Sequence, residues 1–247
     1  MIEQSVEVPA PAGQMTTFIV HPEREGPHPA AILFMDAPGV REPLRDMARR
    51  LASVGYYVML PNLYHRLGLL DLSEIAALPE DETRERVREL VASLTVPAVK
   101  EDCDALLAFA DTDPAASPGR AGCVGYGMSG QFAVNFAAHH PERIGAAAVI
   151  CGVKLVTDQD DSPHLAVQRA TAEFYFACAE DDSWAPMAVV EALDQAAKAY
   201  GPTTEVEIFP GLQHGFAVLG RPVYDKTGAE RCWERIFSLF RRQLQAA

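Results

Sequence analysis

The period of the hydrophobic pattern changes repeatedly along the chain, and each change predicts a new element. Residues 5–8 and 15–20 alternate apolar and polar positions across a Pro- and Gly-containing turn, which predicts a β-hairpin at a sheet edge. Residues 30–35 are continuously apolar, as is typical of a strand buried on both faces.

Strands and helices alternate downstream of this hairpin. We predict strands at residues 56–60, 121–126, 146–150, 173–177 and 205–209, and helices at residues 44–54, 80–94, 99–110, 129–139, 186–200 and 229–245. Helices of this length between strands imply right-handed crossovers. The pattern therefore predicts one α/β domain over residues 1–247, with a doubly wound, mainly parallel sheet and helices on both faces.

Composition and charge narrow the class of partner. The chain of 247 residues is 49% hydrophobic and 22% charged, which is ordinary for a globular protein. Its net charge of −13 argues against nucleic-acid and anionic-membrane partners and favours a small molecule. Apolar stretches are no longer than a strand, so we expect a cytoplasmic protein without a membrane span. We also expect a monomer or a weak homodimer.

The five cysteines are widely spaced, and none forms a C-x-x-C pair. Neither a disulfide framework nor a zinc site is indicated. We expect no metal and no organic cofactor.

The candidate chemistry centres on the segment Gly-Tyr-Gly-Met-Ser-Gly at residues 125–130, between a predicted strand and a predicted helix. This is the context of a nucleophile elbow, a tight turn that presents a reactive side chain. The alignment of the flanking small residues places Gly127 at the nucleophile position. Glycine has no side chain that could attack a substrate.

This elbow, Leu-Pro-Asn-Leu-Tyr at residues 60–64, Ser-Pro-His at 162–164 and His-Gly-Phe at 214–216 resemble the dienelactone hydrolase family of α/β-hydrolases. The resemblance covers residues 29–240, nearly the whole chain. It implies an α/β-hydrolase fold and action on a small carboxylic ester or lactone. The family carries cysteine where this chain has Gly127.

The resemblance also implies a set of catalytic positions. The triad falls on Gly127, Asp182 and His214. Asp36 stands where the family usually has glutamate. The backbone N–H groups of Met128 and Ala37 fall on the oxyanion hole, which binds the negative oxygen of the reaction intermediate.

Other positions concern substrate binding. Arg84 or Arg86 could match a family arginine that contacts the Asp36 position, and Val218 stands where the family has a second arginine. Tyr126, within the elbow, is a further candidate. From the residues themselves, Trp184 and Phe216 are candidates for an apolar pocket, although aromatic side chains near strand ends are often part of the core.

The residues alone support the same pairing of Asp182 with His214. A histidine base needs an acid to fix its tautomer, and both residues follow predicted strands. Alternatives stay open for each acid. Asp181 competes with Asp182, which could instead cap the following helix. Asp36 could be only a turn former.

Gly127 leaves several functional interpretations. The chain could be a hydrolase that lacks its nucleophile, or Ser129 or Cys151 could replace that nucleophile. Alternatively, His214 with Asp182 could act as a general base in a non-covalent hydrolase, isomerase, cyclase or lyase. A catalytically inactive protein that binds a small carbonyl compound or a protein partner is the non-enzymatic alternative.

Overall fold

The computed structural model of the protein describes residues 1–68, 78–200 and 203–245. The chain folds into two compact units, Met1–Pro118 and Gly119–Ala247. The organisation of residues 1–247 as one domain stays a prediction.

The first unit contains four strands in the order β1-β2-β4-β3. Strands β1 (Ile2–Ala10) and β2 (Gly13–His21) form the predicted antiparallel hairpin. Strand β4 (Tyr57–Pro61) pairs antiparallel with β2 and parallel with β3 (His28–Leu33). Every residue of β4 is buried, as expected of a strand with neighbours on both sides.

The helices of this unit differ in how much of their surface is buried. Helix α1 (Glu42–Ala52) buries an apolar stripe at helical spacing that includes Leu44 and Leu51. Helix α2 (Glu80–Ser93) buries only Leu90, since its sequence consists largely of Glu and Arg. Helix α3 (Val96–Thr112) is capped by Thr95, whose hydroxyl accepts the N–H of Ala98 at 3.3 Å and so satisfies one of the free donors of the first turn.

The second unit contains four parallel strands in the order β5-β6-β7-β8. These are β5 (Ala116–Tyr126), β6 (Ile144–Ile150), β7 (Glu173–Asp181) and β8 (Thr204–Gln213). The helices are α4 (Gly130–His139), α5 (Pro163–Ala166), α6 (Met187–Tyr200) and α7 (Lys226–Leu244). Because the strands are parallel, their carboxyl ends meet at one edge of the sheet.

Four features differ most from the sequence-based prediction. Strand β7 ends at Asp181 rather than at residue 177. Strand β5 begins at Ala116, earlier than predicted, although residues 118–119 are Pro and Gly. Strand β8 continues past Pro210 and Gly211 to Gln213, which is possible because a strand at the end of a sheet has one edge that needs no N–H donor. The short helix α5 was not predicted.

All five cysteines are buried free thiols. Among the described residues, no helix combines the length and the apolar character that a bilayer crossing requires.

Candidate active site

Three positions of the second unit each directly follow a parallel strand. Gly127 follows β5, Asp182 follows β7 and His214 follows β8. The sheet topology therefore places all three at its carboxyl edge, where α/β proteins build their ligand sites. The extension of β8 to Gln213 is what places His214 directly at the strand end.

The turn at Gly127 has the backbone of a nucleophile elbow. Gly127 has φ +55°, in the left-handed region that side chains with a Cβ rarely adopt. A Cβ on Gly125 would lie 2.5 Å from the carbonyl oxygen of Ser129, and one on Gly130 would lie 2.8 Å from Cα of Gly152. These two neighbouring glycines therefore allow backbone segments to approach too closely for any side chain.

Ser129 stabilises the elbow through its hydroxyl group. Its Oγ accepts the N–H of Tyr126 at 2.9 Å and donates to the Tyr126 carbonyl at 3.1 Å. The residue is fully buried. A hydroxyl held in this way within the turn is a poor candidate for the replacement nucleophile.

The acid and the histidine are in direct contact. Asp182 Oδ2 lies 2.7 Å from His214 Nδ1, while Oδ1 accepts the backbone N–H groups of Trp184 at 2.8 Å and Ala185 at 3.2 Å. The Asp182 side chain is 1% exposed and that of His214 is 22% exposed. One carboxylate oxygen therefore orders the turn before α6, and the other orients the imidazole.

This geometry distinguishes the two neighbouring acids. Asp182 is buried against His214, whereas Asp181 is exposed and lies opposite Gln213 in the β7–β8 register. An ionised carboxylate only accepts hydrogen bonds, so Nδ1 of His214 carries the proton and Nε2 presents a lone pair.

The free side of the imidazole faces the elbow. A Cβ on Gly127 would lie 3.3 Å from His214 Nε2 and 3.7 Å from Cε1. Apart from the chain neighbours of Gly127, no other atom of the described residues lies within 4 Å of that position. A side chain at residue 127 would therefore contact the imidazole directly.

In the first unit, the loop after β3 is held by two residues that the sequence analysis missed. Arg41 binds both carboxylate oxygens of Asp36 and donates to the Gly39 carbonyl at 3.0 Å, while the N–H of Gly39 closes a turn on the Asp36 carbonyl at 2.9 Å. The Tyr64 hydroxyl donates to the Ala37 carbonyl at 2.8 Å. Burial and the nearby Asp36 carboxylate raise the pKa of Tyr64, which keeps this donor protonated.

The predicted substrate-binding residues lie in different environments. Trp184 is 69% exposed, and its ring centroid lies 6.5 Å from that of His214. Tyr126 and Met128 are buried within the elbow. Phe216 is fully buried and packs on Phe209 with ring centroids 4.8 Å apart, so we leave it out of the proposed binding surface.

Neither arginine of α2 is seen on Asp36 among the described residues. Arg84 pairs with Glu80 at 2.7 Å, and Arg86 pairs with Glu89 at 2.7 Å, both on the exposed surface of their own helix. Arg41 binds the Asp36 carboxylate instead. Its only signal in the sequence is a spacing of five residues from Asp36 across a Pro-Gly turn, which did not suffice to assign it.

Cys151 directly follows β6 and is 2% exposed. Its φ of +49° is unusual for a residue with a side chain. Burial raises the pKa of its thiol to about 11, although backbone hydrogen bonds from Gly215, Ala179 and Phe216 oppose this shift. A buried thiol that stays protonated at neutral pH is a weak nucleophile, which makes Cys151 a poor candidate for the replacement nucleophile.

Comparisons with known proteins identify the family of the chain. The sequence profile of the dienelactone hydrolase family matches residues 15–244. A protein of Escherichia coli named "Putative carboxymethylenebutenolidase" is 30% identical over 240 residues, covering 95% of this chain and 85% of its own length. A protein of the same name from Methylorubrum extorquens is 28% identical over 250 residues, covering 98% of this chain and 81% of its own length.

A solved structure agrees with the fold. The crystal structure of a "Putative Dienelactone Hydrolase" from Klebsiella pneumoniae superposes with a TM-score of 0.86 at 26% sequence identity, covering 97% of this chain and 98% of that one. The predicted α/β-hydrolase fold is confirmed. The chain belongs to the dienelactone hydrolase family, whose members are hydrolases of the α/β class.

Proposed function

We propose that this chain hydrolyses a small carboxylic ester or lactone without a covalent acyl-enzyme, using His214 as a general base oriented by Asp182. The observation that carries this proposal is the position of the imidazole. Its Nδ1 lies 2.7 Å from Asp182, and its Nε2 lies 3.3 Å from the place where a Cβ on Gly127 would stand.

The proposed reaction begins with a water molecule between Nε2 and the substrate carbonyl carbon. Nε2 takes one proton as the water oxygen attacks, and the Asp182 carboxylate stabilises the imidazolium that forms. The intermediate collapses when Nε2 returns the proton to the leaving alkoxide. None of these proton transfers needs a metal or an organic cofactor.

Charge on the carbonyl oxygen needs hydrogen-bond donors in this mechanism. The N–H of Met128 follows the elbow at the start of a helical turn, where backbone donors point outward and the helix dipole favours negative charge. We assign this donor to the developing oxyanion. The roles of Ala37 and Asp36 stay predictions.

The surroundings of His214 favour a small substrate with an apolar part. Trp184 exposes most of its ring beside the imidazole. Aromatic surface of this kind binds apolar groups. We therefore assign Trp184 to the acyl or alcohol part of the substrate.

The experiment compares the initial rates of the original chain with those of His214→Gln and Gly127→Cys on p-nitrophenyl acetate and an enol-lactone. General-base catalysis contributes about 10² to 10⁴-fold, so His214→Gln should lose activity by a factor in that range. Progress curves of the original chain should be linear from the start, whereas Gly127→Cys should release a burst of product as its thiol is acylated. His139→Gln, which removes an exposed histidine of α4, is the matched control.

Each alternative has its own outcome in this experiment. An unchanged rate in His214→Gln would remove the proposed base. Proton exchange into an enolisable lactone without hydrolysis would assign the isomerase, cyclase or lyase alternative. Ligand binding without turnover in the original chain would assign the inactive binder.

A further inference from the structure

The two strands that precede the acid and the histidine have unequal lengths between their last two paired positions. Ala179 of β7 lies opposite Phe209 of β8, and Asp181 lies opposite Gln213. One residue of β7 lies between these pairs, whereas three residues of β8 do. The three, which we call the β8 bulge, are Pro210, Gly211 and Leu212. Extra residues of this kind bend a strand and change the direction of the side chains that follow, often next to active sites.

The pairing beyond the β8 bulge places the acid and the base side by side. Asp182 directly follows Asp181 and His214 directly follows Gln213, so both groups come one residue after the same pair. Because side chains alternate along a strand, a slip of one residue in this pairing would direct the histidine to the other face of the sheet. The contact of 2.7 Å between Asp182 Oδ2 and His214 Nδ1 therefore depends on the length and shape of the bulge.

A side chain of β7 holds the middle of the β8 bulge. Gly211 has φ +68°, and apart from its chain neighbours no atom of the described residues lies within 4 Å of the place where its Cβ would stand. Among the described pairs of β7 and β8, none includes Gly211. Its N–H instead donates to Oε2 of Glu180 at 2.8 Å. Glu180 is the one residue of β7 opposite the bulge, and it is exposed.

We propose that Glu180 is a positioning residue for the reaction, because its carboxylate fixes the β8 bulge and thereby the contact between His214 and Asp182. Glu180 acts through the backbone of β8 and exchanges no proton with the substrate. The effect on turnover rests on the proposed function, since it assumes His214 as the base. The effect on the imidazole itself does not depend on which reaction the chain catalyses.

The position of β8 in the sheet makes this single hydrogen bond important. Among the described strands, β8 pairs only with β7, so no second strand restrains the bulge from its other side. A bond from a backbone N–H to a carboxylate is stronger than one between neutral groups. Substitution of an exposed side chain usually changes the free energy of unfolding little, whereas a displacement of a catalytic group by about 1 Å can cost about 10²-fold in rate. Loss of Glu180 should therefore affect turnover more than stability.

The kinetic test compares Glu180→Ala, which removes the acceptor, with Glu180→Gln, which keeps an acceptor oxygen. On p-nitrophenyl acetate, Glu180→Ala should lower kcat about tenfold, while KM should stay within about twofold because the groups assigned to substrate binding are unchanged. Glu180→Gln should restore kcat to within about threefold of the original, since an amide oxygen still accepts the Gly211 N–H. Glu191→Ala, which removes an exposed glutamate of α6, is the matched control and should change neither constant.

Proton NMR observes the imidazole directly and does not require turnover. The His214 Nδ1–H signal is assigned by its loss in His214→Gln, and its exchange with water measures how often the contact with Asp182 opens. Exchange should be about tenfold faster in Glu180→Ala and close to the original rate in Glu180→Gln. The proton between His65 Nε2 and Asp102 Oδ1, which lie 3.0 Å apart in the first unit, is the internal reference. A loss of global stability would speed the exchange of both protons, whereas the positioning role affects only that of His214.

An unchanged exchange rate in Glu180→Ala, an unchanged kcat, or equal losses in Glu180→Ala and Glu180→Gln would overturn the inference. If hydrolysis still depends on His214 in that case, the proposed function stands and only the positioning role is wrong. If exchange responds as expected but the original chain does not hydrolyse the ester, Glu180 positions the imidazole and the proposed function fails.

Discussion

Ser129 is the hydroxyl nearest in sequence to Gly127, and its contacts indicate a structural role. Ser129→Ala removes the acceptor of the buried Tyr126 N–H, so we expect the free energy of unfolding to fall by about 1 to 3 kcal/mol. Turnover per folded molecule should stay within about tenfold of the original, because the base and its partner are untouched. Urea denaturation and initial-rate measurements on p-nitrophenyl acetate check both parts.

Ser53→Ala is the matched control for this substitution. The Ser53 hydroxyl donates to the Arg50 carbonyl on the exposed surface, so its loss should cost less than about 0.5 kcal/mol. A loss of about 10³-fold or more in turnover on Ser129→Ala, with stability preserved, would make Ser129 the nucleophile and contradict the proposed mechanism.

At the scale of single residues, the sequence predicted the pair Asp182 and His214. It did not predict the contacts that hold the loop after β3 or the packing of the aromatic residues. Asp182 and His214 could be found because each follows a strand in an order that fits triad enzymes. Arg41 could not be assigned, since its contact with Asp36 depends on how the turn at Gly39 folds back. Likewise, whether an aromatic residue faces a site or the core depends on packing, which places Phe216 in the core and exposes Trp184.

Helix α7 illustrates an element whose start is set by one side chain. Asp225 accepts the N–H of Gly228 at 2.7 Å, which satisfies a donor of the first turn. We expect Asp225→Ala to reduce the free energy of unfolding by about 1 kcal/mol, whereas Asp225→Ser should retain most of it, because serine also caps helices well. Equal stability of all three proteins in chemical denaturation would show that the cap contributes nothing.

Helices and strands could be predicted wherever the hydrophobic period and the turn residues indicated the same bounds. Strand β6 is apolar throughout and helix α1 has a clear apolar stripe, so both were found near their observed bounds. The ends of β8 and β5 were missed because Pro and Gly usually end a strand, while the neighbours in the sheet decide how far pairing continues. This matters for function, since the end of β8 sets the position of His214.

At the scale of the whole molecule, the buried thiols make the free energy of unfolding depend on pH in the alkaline range. Burial raises the pKa of Cys151 to about 11 and that of Cys178 to about 12, from an ordinary value of 9.0. Burial also raises the pKa of Cys123 and Cys232. These groups ionise first in the unfolded chain, so the stability they contribute is complete below pH 9.0 and is lost as the pH rises towards the folded values.

Between its unfolded and folded pKa values, each such thiol should lower the free energy of unfolding by about 1.4 kcal/mol per pH unit. Urea denaturation under reducing conditions between about pH 7 and pH 11 measures it. Cys178→Ala should lower the overall stability at neutral pH but make the decline at alkaline pH shallower by one group. A free energy of unfolding that does not change across this range would contradict the burial of these thiols.

We propose that the molecule hydrolyses esters through His214 and water, with no covalent bond to the protein. Intact-protein mass spectrometry on samples quenched during steady turnover of p-nitrophenyl acetate tests it most directly, with Gly127→Cys as the positive control. We expect an unmodified mass for the original chain and an acetylated mass for Gly127→Cys. A stoichiometric acetyl group on any residue of the original chain, formed and lost at the rate of turnover, would contradict it.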